Sequence, residues 1–253
     1  MYQDKYTVLI QGPLDKISLC NLENYKNYGE VVISCWSDYF SKSWSSSEEA
    51  KLYLDNLGLN YSFEKTPSLS NVVGCDKEST FYYALNSIYN GLKLVKTDYV
   101  IKTRSDEYYK DLAPFIKEFE KNDDKIVCGN IFVRNDMPWH FGDHIFVCKT
   151  EHVLNAIENL LKHYNGECEQ LEEYMTQGSK NNAELILCVA MLQQKNADID
   201  YINYTDYKSK FLNYISVVNI NDTTEFIAQW KHGNKKYINL FTNHHDVRDS
   251  DDY

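Results

Sequence analysis

Basic runs, cysteine pairs and long apolar segments are all missing from this sequence, and each absence excludes a class of protein. The 253 residues carry 26 Lys and Arg against 37 Asp and Glu, which gives a formal net charge of −11. The nearest approach to a basic run is 231–236, which is most simply a solvated turn. Because general nucleic-acid binding requires a basic surface, we expect no nucleic-acid partner.

The cysteines are odd in number and contain no Cys-x-x-Cys pair. This pattern is typical of buried thiols in a reducing compartment, and it argues against both a disulfide framework and a zinc site. The seven are Cys20, Cys35, Cys75, Cys128, Cys148, Cys168 and Cys188.

Membrane-spanning and secretory signals are also lacking. The longest strongly apolar run, Leu185 to Leu192, is far shorter than the ~20 residues that cross a bilayer. Met1 to Lys5 shows no apolar core of a secretory signal. We therefore expect a cytoplasmic protein without a transmembrane segment, for which peripheral association with a membrane stays open.

The composition and the order of apolar segments predict an α/β fold. Hydrophobic residues make up 43% of the chain and aromatic residues 14%, which is enough for a core. Apolar strands are predicted at 7–10, 31–36, 61–64, 99–101 and 125–128, with helices between them. This alternation is typical of a mostly parallel sheet flanked by helices.

No repeat or linker marks a domain boundary, so we predict a single domain over residues 1–253. After Gly129 the pattern changes to short strands and helices. We therefore predict a ligand-binding half over 1–130 and a smaller, mixed helical half over 131–253.

The stretch from 98 to 109 is the strongest candidate for a site. An apolar strand runs directly into Arg104, Ser105, Asp106 and Glu107. Ligands of parallel α/β sheets lie at the carboxyl ends of the strands. A carboxylate pair there can hold a divalent cation through oxygen ligands, and the cation can carry a diphosphate. The alternative is an ordinary charged turn after a strand.

Two other predicted strands end in polar residues. The first ends in Gln11, Gly12 and Pro13, a turn in which glycine allows a ligand to approach the backbone. The second ends in Ser37 and Asp38, where an acidic residue can bind a ribose or base edge. A plain strand–helix turn and a loop cap are the respective alternatives.

The loop before the strand at 144–147 combines aromatic residues with a carboxylate. Apolar surroundings raise the pKa of a carboxyl group, so we predict Asp143 as a general base with a raised pKa. Trp139 and Phe141 are predicted to stack on a sugar, with His140 beside them. A turn aspartate with core aromatics is the alternative.

Two further charged residues lie at predicted helix starts. Lys77 would bind an anion there, or would simply be solvated. Glu184 opens an apolar helix, and because a buried glutamate needs a partner, it would bind substrate hydroxyls or the helix N-terminus.

Four segments taken in order resemble the WavE-type lipopolysaccharide-synthesis glycosyltransferases. They are Val8–Pro13, Ser34–Asp38, Lys102–Asp106 and Phe141–His144, and the resemblance covers roughly residues 6–190. Similar domains occur in large DNA viruses, in which case the compartment would be the host cytoplasm.

The resemblance implies a GT-A fold, which is a Rossmann-like sheet with the donor site at the strand ends. In such enzymes a D-x-D motif binds Mn²⁺ or Mg²⁺ on the donor diphosphate. The matching triplet here is Arg104-Ser105-Asp106, so the first aspartate is missing. The resemblance implies Asp106 as metal ligand, with Glu107 as helper and His245 or His244 as a further ligand. Arg104 would alternatively neutralise phosphate itself.

The function that follows is sugar transfer from a UDP- or GDP-sugar to a glycan or other hydroxyl acceptor. Asp143 would be the base of an inverting reaction, with a retaining reaction left open. One alternative is a nucleotidyltransferase, although no basic residue follows the first strand before Lys16. Another is a non-catalytic glycan-binding protein that presents exposed tyrosines.

Overall fold

The computed structural model describes residues 2, 4–14, 22–38, 44–69, 80–130, 133, 139–167, 183–195, 207–220, 226–229 and 236–237. The strands are β1 (Tyr6–Gln11), β2 (Glu30–Trp36), β3 (Asn60–Glu64), β4 (Tyr99–Arg104), β5 (Glu107–Tyr109), β6 (Ile126–Gly129), β7 (Phe146–Lys149), β8 (Ile215–Val218), β9 (Phe226–Gln229) and β10 (Lys236–Tyr237). The helices are α1 (Leu22–Tyr25), α2 (Ser47–Leu57), α3 (Thr80–Leu92), α4 (Ala113–Lys121), α5 (Thr150–Tyr164), α6 (Ala183–Gln193) and α7 (Tyr207–Tyr214).

Seven strands form one sheet in the order β3-β2-β1-β4-β7-β6-β8. All neighbouring pairs are parallel except those of β7, which runs antiparallel to both β4 and β6. The register places Gln11 of β1 beside Arg104 of β4 and Ser34 of β2. The predicted fold class, a mostly parallel sheet flanked by helices, is therefore confirmed.

A second, smaller sheet begins immediately after β4. It has the order β10-β9-β5, and both pairs are antiparallel. Strands β7 and β8 of the large sheet come from beyond residue 130, so both predicted halves contribute to one sheet. The division of donor and acceptor functions between the halves stays a prediction.

Local signals in the sequence fix the ends of α2. Ser46 precedes the helix, and its hydroxyl accepts a hydrogen bond from the backbone N–H of Glu49 at 3.2 Å. Gly58 follows the helix with φ +62°, a left-handed conformation that glycine adopts without steric cost. The helix therefore begins and ends where its capping residues stand.

The large sheet separates two apolar cores. Because successive strand residues point to opposite faces, Leu9 of β1 lies in one core, while Val8 and Ile10 lie in the other. Helices α3, α5 and α6 cover the first face, and α1, α2 and α4 cover the second. This layering holds the carboxyl ends of β1 and β4 on a rigid support.

The prediction that the cysteines are buried is confirmed for the described ones. Cys35, Cys128, Cys148 and Cys188 are all buried, whereas Cys20, Cys75 and Cys168 lie outside the described residues. Among the described residues, no helix combines the length and the apolar character needed to cross a bilayer.

Candidate functional site

The polar residues that the sequence singles out meet where β1 and β4 end. The backbone N–H of Ser105 donates to the carbonyl of Gln11 at 2.9 Å, and the Ser105 hydroxyl donates to the carbonyl of Pro13 at 2.7 Å. The N–H of Gly12 donates to the carbonyl of Ser34 at 3.1 Å. The turn after β1 is thus tied to the ends of both neighbouring strands.

Glycine is required at position 12 for two reasons. Its φ is +135°, a backbone conformation that residues with a side chain rarely adopt. A Cβ there would lie 2.6 Å from the Ser105 hydroxyl oxygen. Glycine at position 12 thus allows the turn after β1 to pack closely against Ser105. Contact of Gln11, Gly12 or Pro13 with a ligand stays a prediction.

Arg104 and Asp106 form a two-point ion pair at the end of β4. Nε and Nη2 of Arg104 donate to Oδ1 and Oδ2 of Asp106, each at 2.9 Å. The two side chains are 34% and 30% exposed. Burial works to raise the pKa of the Asp106 carboxyl, but the hydrogen bonds and charge of Arg104 outweigh it and the pKa is lowered. Both groups are therefore charged at neutral pH.

Glu107 is the buried centre of a hydrogen-bonded network. Its side chain is 2% exposed, and Oε1 is hydrogen-bonded to Nδ1 of His144. Oε2 accepts a bond from the Tyr109 hydroxyl at 3.0 Å. The backbone N–H of Tyr109 in turn donates to the Tyr25 hydroxyl at 3.1 Å. Nε of Arg104 lies 3.8 Å from Oε1 of Glu107, which joins this network to the ion pair.

Lys102 points inward from the middle of β4 and reaches the loop before β7. Its ammonium donates to the carbonyl oxygen of Asp143 at 2.6 Å, and burial lowers its pKa. Burial also works to raise the pKa of Asp143, but the charge of Lys102, with smaller contributions from neighbouring cations, outweighs it. The pKa of Asp143 is therefore lowered, and the sequence prediction of a raised value is wrong.

Glu184, and not Asp143, has the raised pKa that the sequence predicted. Burial, and after it the nearby charge of Asp143, raise the pKa of its carboxyl group. Nε2 of His140 lies 3.8 Å from Oε2 of Glu184, while the Glu184 side chain is 27% exposed. Glu184 is thus a carboxyl group with weakened acidity and access to solvent.

Two aromatic predictions are wrong because the side chains lie in the core. Trp139 is only 1% exposed and packs against Phe211 with ring centroids 6.4 Å apart. Phe141 is fully buried beside Phe146 at 5.9 Å. Neither ring offers an open face to a sugar, and His140 is buried as well.

The end of β2 is engaged in loop contacts. The carboxylate of exposed Asp38 accepts bonds from the backbone N–H and the hydroxyl of Thr66, at 2.9 and 2.7 Å. The backbone N–H of Ser37 donates to the carbonyl of Glu64 at 2.7 Å. In the structure Asp38 therefore caps a loop, as the alternative interpretation predicted. Binding of Asp38 to a nucleotide stays a prediction.

Three predicted residues cannot be placed in this site. Lys77, His244 and His245 lie outside the described residues. Their predicted contacts with anion or metal stay predictions.

The described residues do not fit the metal that the resemblance implies. Both oxygens of Asp106 are held by Arg104, and both oxygens of Glu107 are held by His144 and Tyr109. Within the described ranges, no group of three or more His, Cys, Asp or Glu side chains converges to hold an ion. The metal assignment of Asp106 and Glu107 is therefore not supported by their contacts.

No individual role at the site was predicted for Lys102, His144 or Tyr109. A signal for Lys102 was present, because a lysine inside a buried strand such as Tyr99–Arg104 needs a partner. No comparable signal marked His144 or Tyr109. Their importance depends on Glu107, which lies 37 residues before His144 in the chain.

Comparison with solved structures returns enzymes that handle sugars and nucleotides. Glycosyltransferase GlyE of Streptococcus pneumoniae TIGR4 matches 85% of this chain and 45% of its own, with 12% identity and a TM-score of 0.43. Glucosyl-3-phosphoglycerate synthase of Mycobacterium tuberculosis, solved with Mn²⁺ and UDP, matches 86% of this chain and 70% of its own, with 8% identity and a TM-score of 0.44. The inositol-1-phosphate CTP transferase of T. maritima matches 87% and 86%, with 10% identity and a TM-score of 0.42.

No protein-family model and no curated protein sequence matches this chain. The chain spans less than half the length of the pneumococcal glycosyltransferase. At these identities and TM-scores the similar structures carry no information about activity, so a function must be argued from the residues of this chain.

Proposed function

We propose that this chain is a nucleotide-sugar-dependent glycosyltransferase. The observation that carries the proposal is the half-buried Arg104–Asp106 ion pair at the end of β4, which belongs to one group of charges with Asp143 and Glu184. Within this group the pKa of Glu184 is raised and that of Asp143 is lowered. Two carboxyl groups with pKa values pushed apart are the usual arrangement for dividing acid–base roles between them. A cationic side chain, Arg104, stands at the carboxyl end of the central parallel strand in the same group of charges, where ligands of such sheets bind.

Glu184 is the better candidate for the general base. A base needs a pKa nearer the working pH and access to the proton it removes. Glu184 has a raised pKa and a partly exposed side chain, whereas Asp143 has a lowered pKa and lies beside Lys102. Asp143 acts on the base through its charge, since that charge contributes to the raised pKa of Glu184.

In the proposed reaction Glu184 takes the proton of the acceptor hydroxyl. The hydroxyl oxygen forms a bond to the anomeric carbon of the donor, and the bond from that carbon to the diphosphate oxygen breaks. The bonding electrons leave with the diphosphate. Arg104 would stabilise the negative charge that develops there, as a positioned cation does in a transition state. Attack opposite the leaving group would invert the anomeric centre.

Binding of nucleoside diphosphates is the first test. We expect UDP or GDP to raise the melting temperature, because a ligand at 100 times its dissociation constant stabilises the folded state by about 2.7 kcal/mol. The screen should include free glycans and should be run once with EDTA and once with Mn²⁺. A nucleotide that binds is then supplied as a panel of its sugars, and free nucleoside diphosphate is measured.

The other outcomes identify the alternative functions. Stabilisation by free glycans alone would contradict the proposal and support a glycan-binding protein. Release of pyrophosphate from a nucleoside triphosphate and a sugar phosphate would instead support a nucleotidyltransferase. No stabilisation by any nucleotide would remove the basis for donor binding.

The pH dependence of transfer distinguishes the roles of the two carboxyl groups. The deprotonated base is the active form, so we expect activity to be lost as the pH falls through the raised pKa of Glu184. Asp143→Asn removes a negative charge that favours the protonated form of Glu184. The acidic limb of the kcat/KM profile should therefore move to lower pH, with transfer retained. Complete loss of transfer at every pH in this variant would return the role of base to Asp143.

A further inference from the structure

We propose that the donor diphosphate binds directly to Arg104 without a metal, and that Asp106 is a built-in competitor which occupies Arg104 until the donor arrives. This inference rests on the proposed function and deepens it. It assigns to Asp106 a role opposite to the one that the resemblance implies, because a metal ligand would strengthen donor binding and a competitor weakens it.

The first support is the geometry of the ion pair. The two 2.9 Å contacts of Arg104 use both oxygens of the Asp106 carboxylate, in the fork-to-fork arrangement that makes such pairs specific. A phosphate group also presents two oxygens to a guanidinium and carries a higher charge, so a diphosphate can replace the carboxylate on the same face of the guanidinium. A cation bound to Asp106 would lie next to the guanidinium of Arg104, whose positive charge opposes it.

The second support is the state of the neighbouring carboxylate. Glu107 cannot take over as a metal ligand, since its side chain is 2% exposed and its two oxygens are bonded to His144 and Tyr109. Its Oε1 lies 3.8 Å from Nε of the guanidinium, so Glu107 would remain as a neighbour of Arg104 when the diphosphate replaces Asp106. We expect the ligand to displace Asp106 from Arg104 and to leave the buried Glu107 beside it.

The third support is access. The Arg104 and Asp106 side chains are 34% and 30% exposed, so an anion can approach them from solvent without opening the core. Arg104 lies beside Gln11 in the sheet register, and the glycine turn after β1 follows at once.

The test is calorimetric titration of UDP, GDP and inorganic pyrophosphate into the whole chain in the presence of EDTA. We expect Asp106→Asn to bind the nucleoside diphosphate roughly two- to tenfold more tightly than the unmodified protein, because a partly exposed ion pair no longer competes. Arg104→Lys should weaken binding, because a lysine ammonium cannot make the two-point contact. Asp106→Ser serves as a second variant should the asparagine variant fold poorly.

A matched control removes another paired aspartate, near the opposite end of β4. Asp124 is 76% exposed and lies 2.6 Å from the ammonium of Lys149, which pairs with Tyr99 at the start of β4. Asp124→Asn changes the net charge by the same amount, so it should leave nucleotide binding unchanged. An equal gain in this variant would attribute the effect to overall charge and overturn the proposal.

The remaining outcomes separate this inference from the proposed function. Binding that requires Mn²⁺ and weakens in Asp106→Asn would overturn the inference and leave the glycosyltransferase proposal standing, with Asp106 as metal ligand. Absence of nucleotide binding with EDTA and with Mn²⁺ alike would overturn both. Binding of pyrophosphate as tight as that of UDP and GDP would keep the Arg104 contact but show that the nucleoside contributes nothing.

Discussion

Replacing Glu184 by glutamine is expected to slow sugar transfer by about 10²- to 10⁴-fold, the usual contribution of a positioned general base. Glutamine has the same shape and can keep polar contacts, but it cannot accept the acceptor proton. Binding of the nucleoside diphosphate should be nearly unchanged, since the proposed donor contact is Arg104. The measurement is kcat from initial rates, combined with calorimetry of the same variant.

The matched control for this variant is Glu151→Gln. Glu151 also lies in the first turn of a helix, α5, but it is exposed to solvent. Its substitution should leave transfer unaffected. If Glu184→Gln retained full turnover across the pH range, Glu184 would not be the base. This conclusion would hold whether or not the variant binds the donor normally.

Replacing Glu107 by alanine is expected to lower the free energy of unfolding by roughly 3–5 kcal/mol, as for other buried pairs that lose one partner. The substitution removes the acceptor of His144 and of the Tyr109 hydroxyl, both of which are buried. Small proteins are stabilised by only about 5–15 kcal/mol in total, so this variant should stand close to its unfolding threshold. The measurement is the midpoint of denaturant unfolding.

Glu23→Ala is the control for the Glu107 variant. Glu23 also belongs to a salt bridge, with Lys26 at 2.7 Å, but its side chain is 83% exposed. Exposed pairs contribute no more than about 1 kcal/mol, so the midpoint should move little. A small effect of Glu107→Ala, similar to this control, would contradict the buried network and restore Glu107 as a candidate surface ligand.

The order of strands and helices was predictable because each element carries its own periodic signal. β1, β2 and β4 are apolar runs, and α2 has Ser46 before it and Gly58 after it. The small sheet of β5, β9 and β10 was not predicted, since β5 has only three residues and no alternation to recognise. The antiparallel direction of β7 was also not predicted, because direction depends on the partner strand and leaves no mark in the strand itself.

The candidate site was predicted in location better than in chemistry. The sequence placed Arg104, Asp106 and Glu107 at a strand end, and there they lie. It assigned the raised pKa to Asp143 because the neighbouring residues in the chain are apolar. The cation that reverses this shift, Lys102, is 41 residues away in sequence and reaches Asp143 only through the pairing of β4 with β7.

The sequence by itself determined that this chain forms a layered α/β sheet and that charged side chains stand at the end of its central strand, because backbone periodicity and capping act between near neighbours. Only the tertiary structure decided which of those charges are already paired and which carboxyl group has a raised pKa. Ion pairing and pKa depend on which side chains approach each other through space and on how far each is removed from water. Neither can be derived from the residues that are neighbours along the chain.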